Sequence, residues 1–71
     1  MSPRDYEVYI RPLAPEEGGG FVGVAPELPG CLSDGNTPEE ALANAYDAIA
    51  CWIEAAAEMG RSVPAPKLKA A

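Results

Sequence analysis

The chain reads as one small domain of three short strands, one long helix, then an extended tail. Three observations predict this. Residues 5–11 alternate apolar and polar, residues 21–25 and 31–34 are short apolar or extended runs set off by Gly and Pro, and residues 39–59 repeat apolar positions at helical spacing without Gly or Pro.

In the first strand, Tyr6, Val8 and Ile10 alternate with Glu7, Tyr9 and Arg11. Period two with β-branched and aromatic residues predicts a half-buried strand. Pro12 and Pro15 are expected to stop it, since proline cannot donate to a ladder. Glu16-Glu17-Gly18-Gly19-Gly20 is the turn, its glycines permitting positive φ. The run lacks the Lys-Ser/Thr ending of a P-loop and follows two carboxylates, so it is not a phosphate cradle. In the second strand, Phe21 and Gly23 fall on one face and Val22 and Val24 on the other. Both faces are apolar, which predicts a helix on one side and a partner or loop on the other. Gly23 leaves a gap for a helix or an aromatic ring to fill.

Pro26-Glu27-Leu28-Pro29-Gly30 is a compact turn, and Cys31–Asp34 resumes an extended run. Thr37-Pro38-Glu39-Glu40 is the strongest local signal. Thr37 caps, Pro38 occupies the first helical position, and Glu40 is expected to complete a capping box. Leu42, Ala45, Tyr46, Ile49, Trp52, Ile53 and Ala56 then form one helical face, and Gly60 supplies the C-terminal cap. Such a helix is about 33 Å long and outreaches a five-residue strand roughly twofold. Its C-terminal half must cover something beyond the sheet, or a second subunit. Residues 63–66 are held extended by two prolines, and residues 67–71 are open to a short last strand or a frayed tail.

Composition narrows the function. The chain has 71 residues, a net charge of −6 and a pI near 4.3. Folding it costs roughly 100 kcal/mol of conformational entropy, which one small core barely offsets. A second copy, as homodimer or higher homo-oligomer, is therefore expected. Residues 1–59 hold all eleven acids against Arg4 and Arg11, a net −9; Arg61, Lys67 and Lys69 give the tail +3. An acidic surface repels a phosphate backbone and suits a basic partner. Nucleic-acid binding is thus not expected of this chain. No apolar run approaches the roughly 20 residues of a membrane span, and no secretory h-region is visible. Cys31 and Cys51 read as reduced thiols of a cytoplasmic protein, with a disulfide between them the alternative.

Catalytic constellations are not apparent. The chain has no histidine, so no Ser-His or Cys-His nucleophile is available. Asp5, Glu7, Asp34, Glu40 and Asp47 were weighed as a two-metal nuclease site. Asp5 and Glu7 point away from the core, and Glu39 and Glu40 serve the helix N-terminus, so neither a metal nor a cofactor is expected. The exposed row Glu7, Tyr9 and Arg11 reads as a docking strip, because a small sheet has edges that template pairing. Candidate partner-binding residues are Glu7, Tyr9, Glu16, Glu17, Glu27 and Asp34. Candidate self-association residues are Val22, Val24, Trp52 and Ile53.

The motifs at this spacing resemble a known family. Tyr6–Ile10, Gly19-Gly20-Phe21-Val22, Pro26-Glu27-Leu28-Pro29-Gly30-Cys31 and Gly35-Asn36-Thr37-Pro38-Glu39-Glu40-Ala41-Leu42, with the ending Trp52 through Pro66, are similar to the HicB-type antitoxin domain. The resemblance spans about residues 5–66. It implies a small α+β unit, a three-stranded antiparallel sheet with one long helix across it, often a short last strand, and a partial RNase H-like fold. It implies binding and neutralising a small basic toxin of the HicA type, an mRNA-cleaving ribonuclease, and no enzymatic activity of its own. Many members continue after the Pro-x-Pro stretch into a DNA-binding domain; here only five residues follow Pro66, so residues 1–71 are expected to form one domain. Two alternatives accompany the antitoxin reading: a stand-alone oligomeric module with another protein or ligand, and a metal-dependent nuclease.

Overall fold

The computed structural model describes residues 2–67. A 3-10 helix over Pro3–Asp5 leads into β1 (Tyr9–Pro12). A second 3-10 turn, Pro15–Glu17, precedes β2 (Phe21–Val24), followed by β3 (Leu32–Gly35) and α1 (Pro38–Glu58). The sheet is antiparallel with order β1-β2-β3. The helix lies across one face of it.

Register explains two departures from the sequence reading. The strand expected over residues 5–11 begins only at Tyr9, because Ser2 caps the first turn: its Oγ accepts from Arg4 N, and its own N–H donates to Asp5 Oδ2. Alternation still holds, with Tyr6 buried and Tyr9 and Arg11 exposed. Pro12, expected to end the strand, is its last member. Leu13 N donates to Gly20 O, so the residues that exchange ladder bonds with β2 are 9, 11 and 13. Pro12 turns its nitrogen outward from an edge strand, where no donor is missed.

The glycine turn forms as expected. Gly18, Gly19 and Gly20 take φ of +106°, +70° and +74°, the left-handed region that favours glycine. Gly23 has the opposite use. A Cβ there would stand 2.9 Å from Ala41 O and 3.0 Å from the Ala45 Cβ, so the helix fills the predicted gap. Gly35 is tighter still against the first helical turn. The sheet face of Ile10, Phe21, Gly23 and Gly35 is therefore the covered one.

Helix signals were almost fully local. Thr37 Oγ1 accepts from Glu40 N at 3.0 Å. The Glu40 carboxylate, expected to bond the cap residue, instead accepts from Asn36 N, one residue earlier. At the other end Gly60 N donates to Ala57 O and Arg61 N to Ala56 O, a Schellman motif with Gly60 at φ +69°.

The overhanging half of the helix covers the chain's own loop and tail. Leu28, read as part of a turn, is 1 % exposed and packs with Tyr6, Ala25, Cys31 and Ile49. Burying such a side chain is worth about 1.5–3 kcal/mol. Trp52 Nε1 donates to Pro29 O at 3.0 Å, and Val63 of the tail packs on the same cluster. The two thiols are unpaired; Cys31 is buried, which pushes its pKa up, and Cys51 is exposed. The short last strand was expected within residues 67–71; Lys67 is a bend, and residues 68–71 lie outside the described residues.

Tyr6 fastens the tail. It is 2 % exposed and its hydroxyl donates to Pro64 O. Burial first, then the Glu27 and Asp5 carboxylates, push the phenol above its usual 10.0. A raised folded pKa favours the protonated fold, so this contribution is complete below pH 10 and is lost as pH rises through the folded value. Stability is expected to fall above pH 10, and Tyr6→Phe is expected to cost about 1 kcal/mol at neutral pH and to flatten that alkaline loss. Urea titrations of both proteins across this range check it; an unchanged alkaline slope in Tyr6→Phe assigns the loss elsewhere.

Candidate functional site

The uncovered sheet face is the candidate site. Cross-strand partners share a face, and residues two apart along a strand share it too. The registers Tyr9↔Val24↔Leu32 and Arg11↔Val22↔Asp34 therefore make two rows on the face opposite the helix. Tyr9 is 55 % exposed and Leu32 57 %, with half-buried Val24 between them. In the second row Val22 is only 7 % exposed between two charged residues. A short apolar row thus lies beside a charged one.

The acids frame this face unevenly. Glu7 and Glu27 stand at the end where β1 begins and β2 leaves the sheet. The Glu7 carboxylate near the Tyr9 hydroxyl raises the phenol pKa, and partial burial and the Glu27 charge add to it. Glu27 also accepts from Glu7 N at 3.4 Å and Lys67 N at 2.6 Å, so it ties the tail to the start of β1. Glu16 and Glu17 lie at the opposite end of the sheet, in the hairpin turn. Glu17 accepts from Ala14 N at 3.0 Å and stands 3.8 Å from Arg11 Nη1. That ion pair is exposed and worth little. The structure therefore brings Glu7, Tyr9, Glu27 and Asp34 around one surface and leaves Glu16 and Glu17 at its far margin.

The self-association candidates are divided by the fold. Val22 and Val24 belong to the open face. Trp52 and Ile53 sit half-buried on the helix, in the other layer, packed on the core. Beside Trp52 a groove of about 380 Å³ runs between Pro29, Met59 and Pro64. Leu32 was missed in the sequence. Its only signal was its place two residues before Asp34, which has no meaning until the register to Tyr9 is known.

Neither sheet edge offers an unbroken ladder. Ala25 N donates to Cys31 O, so residues 31, 33 and 35 face β2 and residues 32 and 34 face outward. Asn44 Nδ2 donates to the outward Asp34 O at 2.8 Å and closes part of the β3 edge. Pro12 blunts the β1 edge. Docking on the face is favoured over strand addition. Among the described residues no group of three or more Cys, Asp or Glu is gathered to hold a metal ion.

The chain belongs to the HicB-like antitoxin family of bacterial toxin–antitoxin systems, matching its model over residues 6–70. It is similar to a UPF0150 protein of Thermoplasma acidophilum, 36 % identical over 52 residues, 73 % of this chain and 75 % of that protein. A UPF0150 protein of Synechocystis is 36 % identical over 64 residues, 90 % of this chain and 81 % of that protein. Antitoxin HicB 1 of Photorhabdus laumondii is 41 % identical over 61 residues, 86 % of this chain and 37 % of that protein. No solved structure gives a significant match.

Proposed function

We propose that this chain is the antitoxin of a type II pair in the cytoplasm, and that it binds and occludes a small basic ribonuclease of the HicA type through the open sheet face. The reading rests on one observation: a member of an antitoxin family leaves one sheet face uncovered, with an apolar row at its centre and carboxylates around it. Apolar centre and polar rim are the anatomy of a protein-binding patch. Tyr9 is its anchor, being aromatic, exposed and flanked by Glu7. Glu7, Glu27 and Asp34 supply the field that draws a basic RNA-binding surface, with Glu16 and Glu17 extending it. Occlusion needs no chemistry from the antitoxin, so the protein acts as a binder and not as an enzyme.

A second reading is an oligomeric module whose partner is not a toxin. It is favoured by the two UPF0150 relatives, which the chain covers over three quarters or more of their length and whose names specify no toxin.

Co-expression with the small basic protein encoded beside this chain separates the two. Growth arrest by that protein is expected to be relieved by the wild type. Tyr9→Ala is expected to weaken the complex by roughly 30-fold, as loss of an interface anchor does. Association is expected to slow with added salt. Arrest unrelieved by the wild type, with no complex on gel filtration, overturns the antitoxin reading.

A further inference from the structure

We propose that in the free protein the open face is covered by a second copy of the chain, sheet against sheet, about a twofold axis parallel to the strands. The shape invites a further layer. The molecule measures 38 × 30 × 15 Å, and its thin dimension holds only one helix layer and one sheet layer. Of the three exposed large hydrophobic residues among the described ones, two, Tyr9 and Leu32, lie on the bare side of that sheet. Closing it with a second sheet about 10 Å away gives a sandwich with both helices outside.

The register selects the partner. A twofold axis along β2 sets β1 over the partner's β3 and keeps each row at its own height. Tyr9 then faces Leu32 of the partner subunit, and Val24 faces its own counterpart. In the charged row, Arg11 faces Asp34 of the partner subunit, and the reciprocal pair forms across the axis. An isologous interface requires this kind of self-complementarity. An axis perpendicular to the strands exchanges the rows and sets Asp34 over Leu32 of the partner subunit, which leaves a carboxylate against an apolar side chain. The charges at the patch thus balance in one arrangement even though each chain carries −6. Arg11 is free to turn, since its ion pair with Glu17 is long and exposed.

This arrangement has a regulatory consequence, which rests on the antitoxin reading above. The face that takes the toxin is the face that takes the second copy. Free antitoxin is stored as a homodimer with its apolar row dry, and the toxin displaces one chain from the other. The dimer itself does not depend on that reading.

The test begins with the wild-type protein alone. Light scattering at tens of micromolar is expected to give twice the chain mass. In a mixed sample of isotope-labelled and unlabelled chains, contacts between the Tyr9 ring and Leu32 methyls are expected by isotope-filtered NMR. Within one chain these residues are separated by β2, two inter-strand spacings or about 9.6 Å, so such contacts arise between chains. Arg11→Asp and Asp34→Arg are each expected to weaken the dimer by roughly 10-fold or more, because like charges then meet twice. The double reversal is expected to restore it. A monomeric wild type, absent Tyr9–Leu32 contacts in a dimeric one, or a double variant as dissociated as the single ones overturns the inference. Toxin binding separates the two readings. Arg11→Asp is expected to be monomeric by light scattering, whether or not a toxin is present. Toxin binding by a wild type that never dimerises removes the dimer alone; a dimer with no toxin binding removes the antitoxin reading alone.

Discussion

Gly35→Ala is expected to destabilise the protein by about 2–3 kcal/mol, the upper part of the range for overpacked cores. A Cβ at this position would stand 2.5 Å from Ala41 N, 2.8 Å from Glu40 C and 2.9 Å from Glu40 Cβ. The first two atoms are helix backbone, so no rotamer change makes room. The first turn of α1 would have to lift from β3 and strain the Thr37 cap and the Asn44 bond to Asp34 O. Gly19→Ala is the control. Gly19 has φ +70° and nothing within 4 Å of a Cβ, so it pays only for a left-handed alanine, roughly 1 kcal/mol. Urea denaturation of both variants measures the difference. A Gly35→Ala midpoint at or above that of Gly19→Ala means that the helix does not rest on the sheet this closely.

Ile49→Ala is expected to cost about 2–5 kcal/mol. Ile49 is 0 % exposed and meets Leu28, Tyr6, Ala25 and Cys31 at the centre of the cluster. A chain of this length has roughly 4–11 kcal/mol of total stability. The variant therefore loses a large share of it, and its melting temperature is expected to drop by roughly 10–30 °C. Ile49→Val removes one methylene and is expected to cost only about 0.5–1.5 kcal/mol. Thermal melts of the two distinguish a tight core from a loose one: similar losses would show that the site collapses around the missing atoms. The effect should be large because this core is drawn from three separate places, the segment before β1, the loop after β2, and the helix. Loosening one element releases the other two.

These two sites differ in how visible they were. Ile49 lay in the apolar period of the helix, and its burial followed from spacing alone. Gly23 was readable as a gap for a helix to fill. Gly35 was not, because it looked like the end of an extended run beside Asn36. Only the crossing of helix over sheet showed that its missing side chain is required. Leu28 was hidden in a Pro-Glu-Leu-Pro-Gly turn, a composition that ordinarily marks surface loops. Its burial depends on the overhanging half of α1, some twenty residues later in the chain.

The functional surface shows the same division. Alternation in the first strand placed Tyr9 and Arg11 outward, and the structure agrees. Glu7 was assigned to the same strip and lies just before the strand. Glu27 was assigned to partner binding from its charge alone; the structure adds that it accepts from the N–H groups of Glu7 and Lys67. Val24 and Trp52 were grouped by apolar character and belong to opposite layers.

What the sequence determined by itself was local or recurrent. The cap at Thr37, the Schellman end at Gly60, the glycine turn at 18–20 and the order of three strands and a helix are set by contacts between residues a few positions apart. The family was legible because those same glycines, prolines and caps recur at fixed spacing. The tertiary structure decided what stands opposite what. The row Tyr9–Val24–Leu32, the row Arg11–Val22–Asp34 and the partly closed β3 edge all depend on strand register. Register is set by long-range pairing and by which face the helix buries, and a one-residue slip would turn every one of these side chains to the other side.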